Sequence, residues 1–318
     1  MVSLKLSIED AFYKEEERCD YLVGTEMKKV WAVQLDLLKE FIRVCDKYNI
    51  EYFGDSGTLL GAIRHKGYIP WDDDIDVVMT RKEYDRLCQV AKEEFSHPYF
   101  FQTEETDYGF ARPFARLRNS ETTGIQKSEV GAKITYNQGI FIDIFPLDYL
   151  PDDESERETY LSNIRNYSSK AWRLTEWTVR YIRGSKTGIK KMVRDLVCPF
   201  LSWAFRTFGI ANPYWAMYDR EVTKYNDRET KNLANLNFNK ENELVIMNCE
   251  DYKESVLVQF EMLTMKVPKN YENVLARMYG ENWRTPIKAG TLHGDMIFDA
   301  DKAYQLHLDK KGLYKNTI

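Results

Sequence analysis

Between Trp71 and Thr80 the chain reads WDDDIDVVMT, with four aspartates in five positions running into Val77, Val78 and Met79. The apolar run has the make-up of a buried strand. A solvated acidic turn accounts for Asp72 and Asp73, as it does for most charge runs. It does not account for Asp76. In Asp74-Ile75-Asp76-Val77 charge alternates with bulk, and the two-residue period of a strand puts Asp74 and Asp76 on one face at its mouth. Two anions held there repel each other and resist desolvation unless a cation lies between them.

Two kinds of cation site share this spacing. Asp72, Asp74, Asp76 and Glu83 fall at the first, third, fifth and twelfth positions of a calcium loop, but the sixth position of that loop needs glycine and here holds Val77. A phosphoryl-transfer site fits better: a D-x-D pair holds Mg²⁺ through carboxylate oxygens and leaves places for water and substrate phosphates. Asp143, within the apolar run GIFIDIFPLDYL at 139–150, is the candidate third carboxylate. A buried salt bridge to an arginine is the other reading of an aspartate flanked by Phe141, Ile142, Ile144 and Phe145. Upstream, GDSGTLLGA places small residues before a short helix, so the N–H groups of Ser56, Gly57 and Thr58 can face a phosphate. Phosphate turn, D-x-D and third strand aspartate together have the layout of a nucleotidyltransferase-type fold.

Apolar residues recur at helical spacing from Val30 to Tyr48. EYFGDSG reads as a short strand ending in a turn, Thr58–His65 as a brief helix, and Thr80 with Glu83 as a capping box opening a helix to about Phe95. Residues 152–228 scatter Trp172, Trp177, Trp203 and Trp215 among Tyr, Arg and Lys, with breaks near Gly184, Gly188, Gly209 and Pro213, and read as a helical lobe. VLVQFEMLTMKVP suggests a strand pair, and Tyr271–Tyr279 a helix stopped by Gly280. The expected class is α/β (α+β): a nucleotidyltransferase-like core with a mixed sheet at 30–151, an extension at 1–29, an aromatic-rich lobe at 152–230, and a C-terminal part, 231–318, completing the core. The chain's 318 residues, 43% of them hydrophobic, suffice for such a core. A net charge of -5 argues against binding a nucleic acid polymer. Five scattered cysteines without a C-x-x-C pair, a charged N-terminus and the lack of any long apolar run point to a cytoplasmic protein.

GTLLGAIRHKGYIPWDDDIDVVMTRKEYDRL closely resembles the signature of the LicD family, which includes fukutin and fukutin-related protein. GIFIDIFPLD resembles the family's second aspartate strand, and FEMLTMKVPKNYENVLARMYGENWRTP with His293 its C-terminal block. The resemblance runs over most of 30–295 and is poorest in 152–235. It implies Mg²⁺-dependent transfer of a phosphoalcohol such as phosphocholine, from a CDP-linked donor such as CDP-choline, to a sugar hydroxyl of a lipopolysaccharide, teichoic acid or capsule precursor. Carried over, Asp74 and Asp76 would bind metal, Asp143 would be the third acid, and Gly57 and Thr58 would form the phosphate turn. The chain departs from the family pattern at Asp55, which adds charge beside that turn, and at FEM, where FEG is common.

Arg64, His65 and Lys66 end the short helix before the aspartates and can neutralise a diphosphate, Arg64 best because a guanidinium grips two oxygens. A helix C-terminus attracts the same cations through its dipole. Trp71 can hold a quaternary ammonium by cation-π attraction or wedge its loop into the core. His293 is a substrate contact or a structural loop histidine. Two other functions stay open: a nucleotidylyltransferase releasing pyrophosphate from an NTP, and a non-catalytic carbohydrate- or metal-binding protein. A lipid-linked glycan acceptor would bring the protein to the inner membrane face peripherally.

Overall fold

The computed structural model describes residues 2–182, 188–228, 230–237, 244–288, 296–309 and 312–315. A small hairpin, β1 (Glu16–Arg18) and β2 (Tyr21–Val23), precedes α1 (Thr25–Tyr48). The expected helix therefore starts five residues early. It is also not one-faced, because every residue from Val30 to Leu38 is buried. Leu4, Leu6 and Phe12 pack from the N-terminal side, and the polar groups taken inside find partners: Asp36 accepts from Leu6 N at 2.6 Å and Tyr99 OH at 2.6 Å.

After α1 come β3 (Phe53–Gly54), α2 (Ser56–His65), β4 (Asp76–Thr80) and α3 (Arg81–Glu94). Thr80 is the N-cap of α3, yet its side chain makes no capping bond; Glu83 instead accepts from Glu51 N at 3.2 Å and Arg86 Nη1 at 2.5 Å, so the predicted capping box does not form. β5 (Tyr99–Gln102), β6 (Ala115–Asn119) and β7 (Thr123–Gln126) lead to the long β8 (Ile140–Leu150). α4 (Glu154–Trp177), α5 (Gly188–Phe208) and α6 (Pro213–Val222) fill the stretch read as helical. The chain continues through β9 (Asn232–Ala234), β10 (Met247–Asn248), the hairpin β11 (Ser255–Phe260) and β12 (Leu263–Pro268), α7 (Tyr271–Tyr279) and β13 (Met296–Asp299).

β8 organises the main sheet because it is long enough to take three partners. β4 runs parallel along one edge, while β6 and then β9 run antiparallel along the other. β3 extends the sheet beyond β4, β5 beyond β6, and β10 beyond β9. The main apolar cluster joins this sheet to α1, α2, α3, α7 and the β11–β12 hairpin, and a smaller one gathers α4, α6 and β9 around Tyr160, Tyr218 and Tyr225. The molecule is thus an α/β protein with a mixed sheet.

Candidate active site

The acidic loop lies where α2, β4 and β8 meet. Thr58 accepts the backbone N–H of Asp76 at 2.9 Å, Asp55 N donates to Asp76 O at 3.1 Å, and Asp143 N donates to Ile75 O at 2.9 Å. From α1, Trp31 Nε1 donates to Asp72 O at 3.0 Å and Gln34 Nε2 to Asp73 O at 2.7 Å. Tyr68 stacks on Trp31 with centroids 4.4 Å apart, and its hydroxyl donates to Gln34 Oε1. The aspartate backbone is therefore held from two helices and a strand, and Trp31 and Gln34 do this from outside the quoted signature, with Tyr68 bracing them.

The carboxylates group differently from the expected D-x-D. Oxygens of Asp72, Asp73 and Asp74 lie within 4.8 Å of one another, and Asp73 is only 8% exposed, so a solvated turn does not describe it. β4 begins at Asp76, which leaves Asp74 in the loop before the strand. Asp76 instead aligns with Asp143 in the parallel register of β4 and β8, and Asp143 aligns with Arg116 of β6. Residues at one register share a face, so Asp76, Asp143 and Arg116 form a row across three strands. Arg116 grips Asp143 with Nε to Oδ1 at 2.5 Å and Nη2 to Oδ2 at 3.2 Å, and both side chains are almost wholly buried. The arginine salt bridge anticipated for Asp143 is present, beside Asp76.

The turn at Ser56–Thr58 holds an acid of its own. Ser56 sits at φ 47° and its hydroxyl donates to Asp55 Oδ2 at 2.9 Å. Gly57 faces the Asp72 carboxylate so closely that a Cβ would overlap Oδ2. The place expected for a phosphate at the N-terminus of α2 thus has a carboxylate against it, as the helix dipole favours. Burial raises the Asp55 pKa to about 6, partly offset by the Ser56 hydrogen bonds. Burial and the fields of Asp55, Asp76, Asp72 and Asp74 push the phenol of Tyr279, at the end of α7, above its ordinary range.

The expected cations lie elsewhere. Arg64 donates to Trp283 O at 2.9 Å and to His65 Nε2 at 2.9 Å, tying α2 to the segment after α7 rather than reaching into the acidic loop. Lys66 is exposed and caps α2 in the left-handed region. Trp71 is half-buried and meets Tyr21 edge-on at 6.0 Å. His293 lies outside the described residues.

ARPFARLRN, residues 111–119, contributes a buried arginine group that no motif quoted above includes. Arg112 donates to Gln126 Oε1 at 2.5 Å and Glu129 Oε1 at 3.2 Å, and Arg180 pairs with the same Glu129 oxygen at 3.2 Å. Burial, then the charges of Arg116 and Arg180, lower the Arg112 pKa to about 9. Burial and Arg116 lower Arg118 likewise to about 9, while Arg118 donates to Gln102 Oε1 and Gly139 O. Cationic charge crowds the face next to Asp143.

The acidic loop thus stands at the head of a parallel strand pair, with buried arginines behind it, in an α/β protein. Residues 49–176 match the family model described as LicD/FKTN/FKRP, nucleotidyltransferase domain, so the LicD resemblance holds over that span. The chain is 32% identical over 180 residues to the lipopolysaccharide cholinephosphotransferase LicD of Haemophilus influenzae, covering 55% of this chain and 63% of that protein. Over 54 residues it is 44% identical to an uncharacterized protein of Rickettsia prowazekii and 54% to one of Rickettsia typhi, covering 20% and 18% of them. The chain thus spans less than two thirds of the length of each of these relatives.

Proposed function

We propose that this protein transfers phosphocholine, or a related phosphoalcohol, from a CDP-activated donor to a sugar hydroxyl of a cell-surface glycan precursor. The observation that carries this reading is the acidic loop itself, within residues 49–176 that match the LicD/FKTN/FKRP family model. Asp72, Asp73 and Asp74, with Asp76 beside them, offer the all-oxygen donor set that a hard cation needs and would hold Mg²⁺. When bound, the cation would supply charge neutralisation for a diphosphate.

The chain's own residues do the positioning. Thr58, Trp31 and Gln34 hold the aspartate backbone in place, so the carboxylates are arranged before substrate arrives. Asp143 orients Arg116, and Arg112 and Arg118 crowd beside it, guanidinium groups of the kind that grip a phosphorylated ligand. Because Arg116 engages both Asp143 oxygens, taking the acceptor's proton requires that pairing to loosen.

The test reads the leaving group. The protein is incubated with Mg²⁺, a glycan precursor extract and either CDP-choline or CTP, and the nucleotides are separated by chromatography. CMP from CDP-choline, with choline phosphate on the glycan, is the expected result. Pyrophosphate from CTP with nucleotide on the glycan overturns the reading in favour of a nucleotidylyltransferase.

A further inference from the structure

Helix α5 is built inside out. Its solvent side carries Ile189, Met192, Leu196, Phe200, Trp203 and Phe208, with Leu196 79% and Phe200 66% exposed. Its inner side mixes the buried Cys198 and the half-buried Leu201 and Phe205 with polar groups. Arg194 donates to Glu176 O at 2.7 Å, Asp195 accepts from Tyr181 OH at 2.8 Å, and Arg206 donates to Thr135 Oγ1 and Lys133 O, each at 2.9 Å. The spacing 189, 192, 196, 200, 203 keeps one apolar stripe along most of the helix. A helix that points such a stripe at water is shaped for an apolar phase outside the chain.

The surrounding charge selects that phase. Setting aside Arg180, Arg194 and Arg206, which turn inward, residues 165–210 hold seven Lys and Arg against two Asp and Glu, in a chain whose net charge is -5. A second copy of this chain would bring two such basic segments together, which like-charge repulsion opposes. An anionic bilayer surface attracts them and takes up the aromatic and aliphatic stripe at the same time. Among the described residues no helix is long and apolar enough to cross a membrane, so α5 lies along the surface. We propose that α5 is an interfacial helix that docks the protein on anionic lipid, an inference that rests on α5 and its surroundings and not on the transfer reaction.

The experiment is co-sedimentation of the full chain with phosphatidylcholine vesicles, with and without phosphatidylglycerol. The wild type should pellet with the anionic vesicles, and Leu196→Ser/Phe200→Ser should bind them about tenfold more weakly. Phe200→Ser alone, with a smaller loss, gives the same answer if the double variant unfolds. Wild-type protein that stays in the supernatant, or serine variants that bind as well as wild type, overturns the proposal. So does a light-scattering mass that shows a dimer which the serine variants dissociate, because a second copy then covers the stripe.

Discussion

At Thr58 one hydroxyl accepts the N–H of the first residue of β4 and so fixes where the acidic loop ends. Thr58→Val keeps the shape and strands a buried donor, which should cost about 1–3 kcal/mol in a urea unfolding curve, whereas Thr58→Ser should retain most of that stability. Asp74→Asn and Asp76→Asn have the opposite sign. Each relieves repulsion within the cluster, so melting temperature should hold or rise while turnover is lost. The shift in melting produced by Mg²⁺ should shrink in both, and an unchanged shift with full activity removes them from the metal site. Asp74 and Asp76 stood out in sequence because charge interrupted an apolar pattern. Asp73 did not, since its burial comes from α1 lying over the loop.

The β11–β12 hairpin joins elements far apart in the chain. Its turn residue Glu261 takes the left-handed conformation, φ 51°, so Met262 beside it needs no glycine. Glu261 N donates to Lys66 O at 2.7 Å, and its carboxylate accepts from Arg18 at 2.6 and 3.0 Å and from Tyr68 N at 3.1 Å. One turn therefore clamps the C-terminal end of α2 to the β1–β2 hairpin. Glu261→Gln should lower stability by about 2 kcal/mol, read as a lower urea midpoint, because the ion pair with Arg18 is lost and the amide NH2 that replaces one oxygen cannot accept a hydrogen bond. Strand patterning announced the hairpin, but nothing in the sequence linked Arg18 to a residue 243 positions away.

Across the whole molecule, Glu129 ties the core to the segment following α4. Burial would raise its pKa, but Arg180, Arg112 and a hydrogen bond from Gln138 outweigh that and lower it from 4.5 to about 2. The unfolded chain binds more protons between those values, so Glu129 contributes stability that is present above about pH 4.5 and lost as pH falls toward 2. Glu129→Gln should cost about 3–5 kcal/mol at pH 7, because it leaves buried arginines unbalanced, and should flatten the acid limb of a stability-against-pH curve. Local pattern alone determined the long helix, the strands at β4 and β8 and the β11–β12 hairpin, because apolar residues at helical spacing or in short β-branched runs suit one element and not another. Local charge against that background determined which aspartates to follow. Only the tertiary structure decided that Asp143 is shared with Arg116, that Asp72 and Asp73 join Asp74, that Arg64 faces away from the acidic loop, and that α5 turns its apolar side outward. Strand register and helix orientation are set by contacts between residues far apart in the chain, and no local pattern records them.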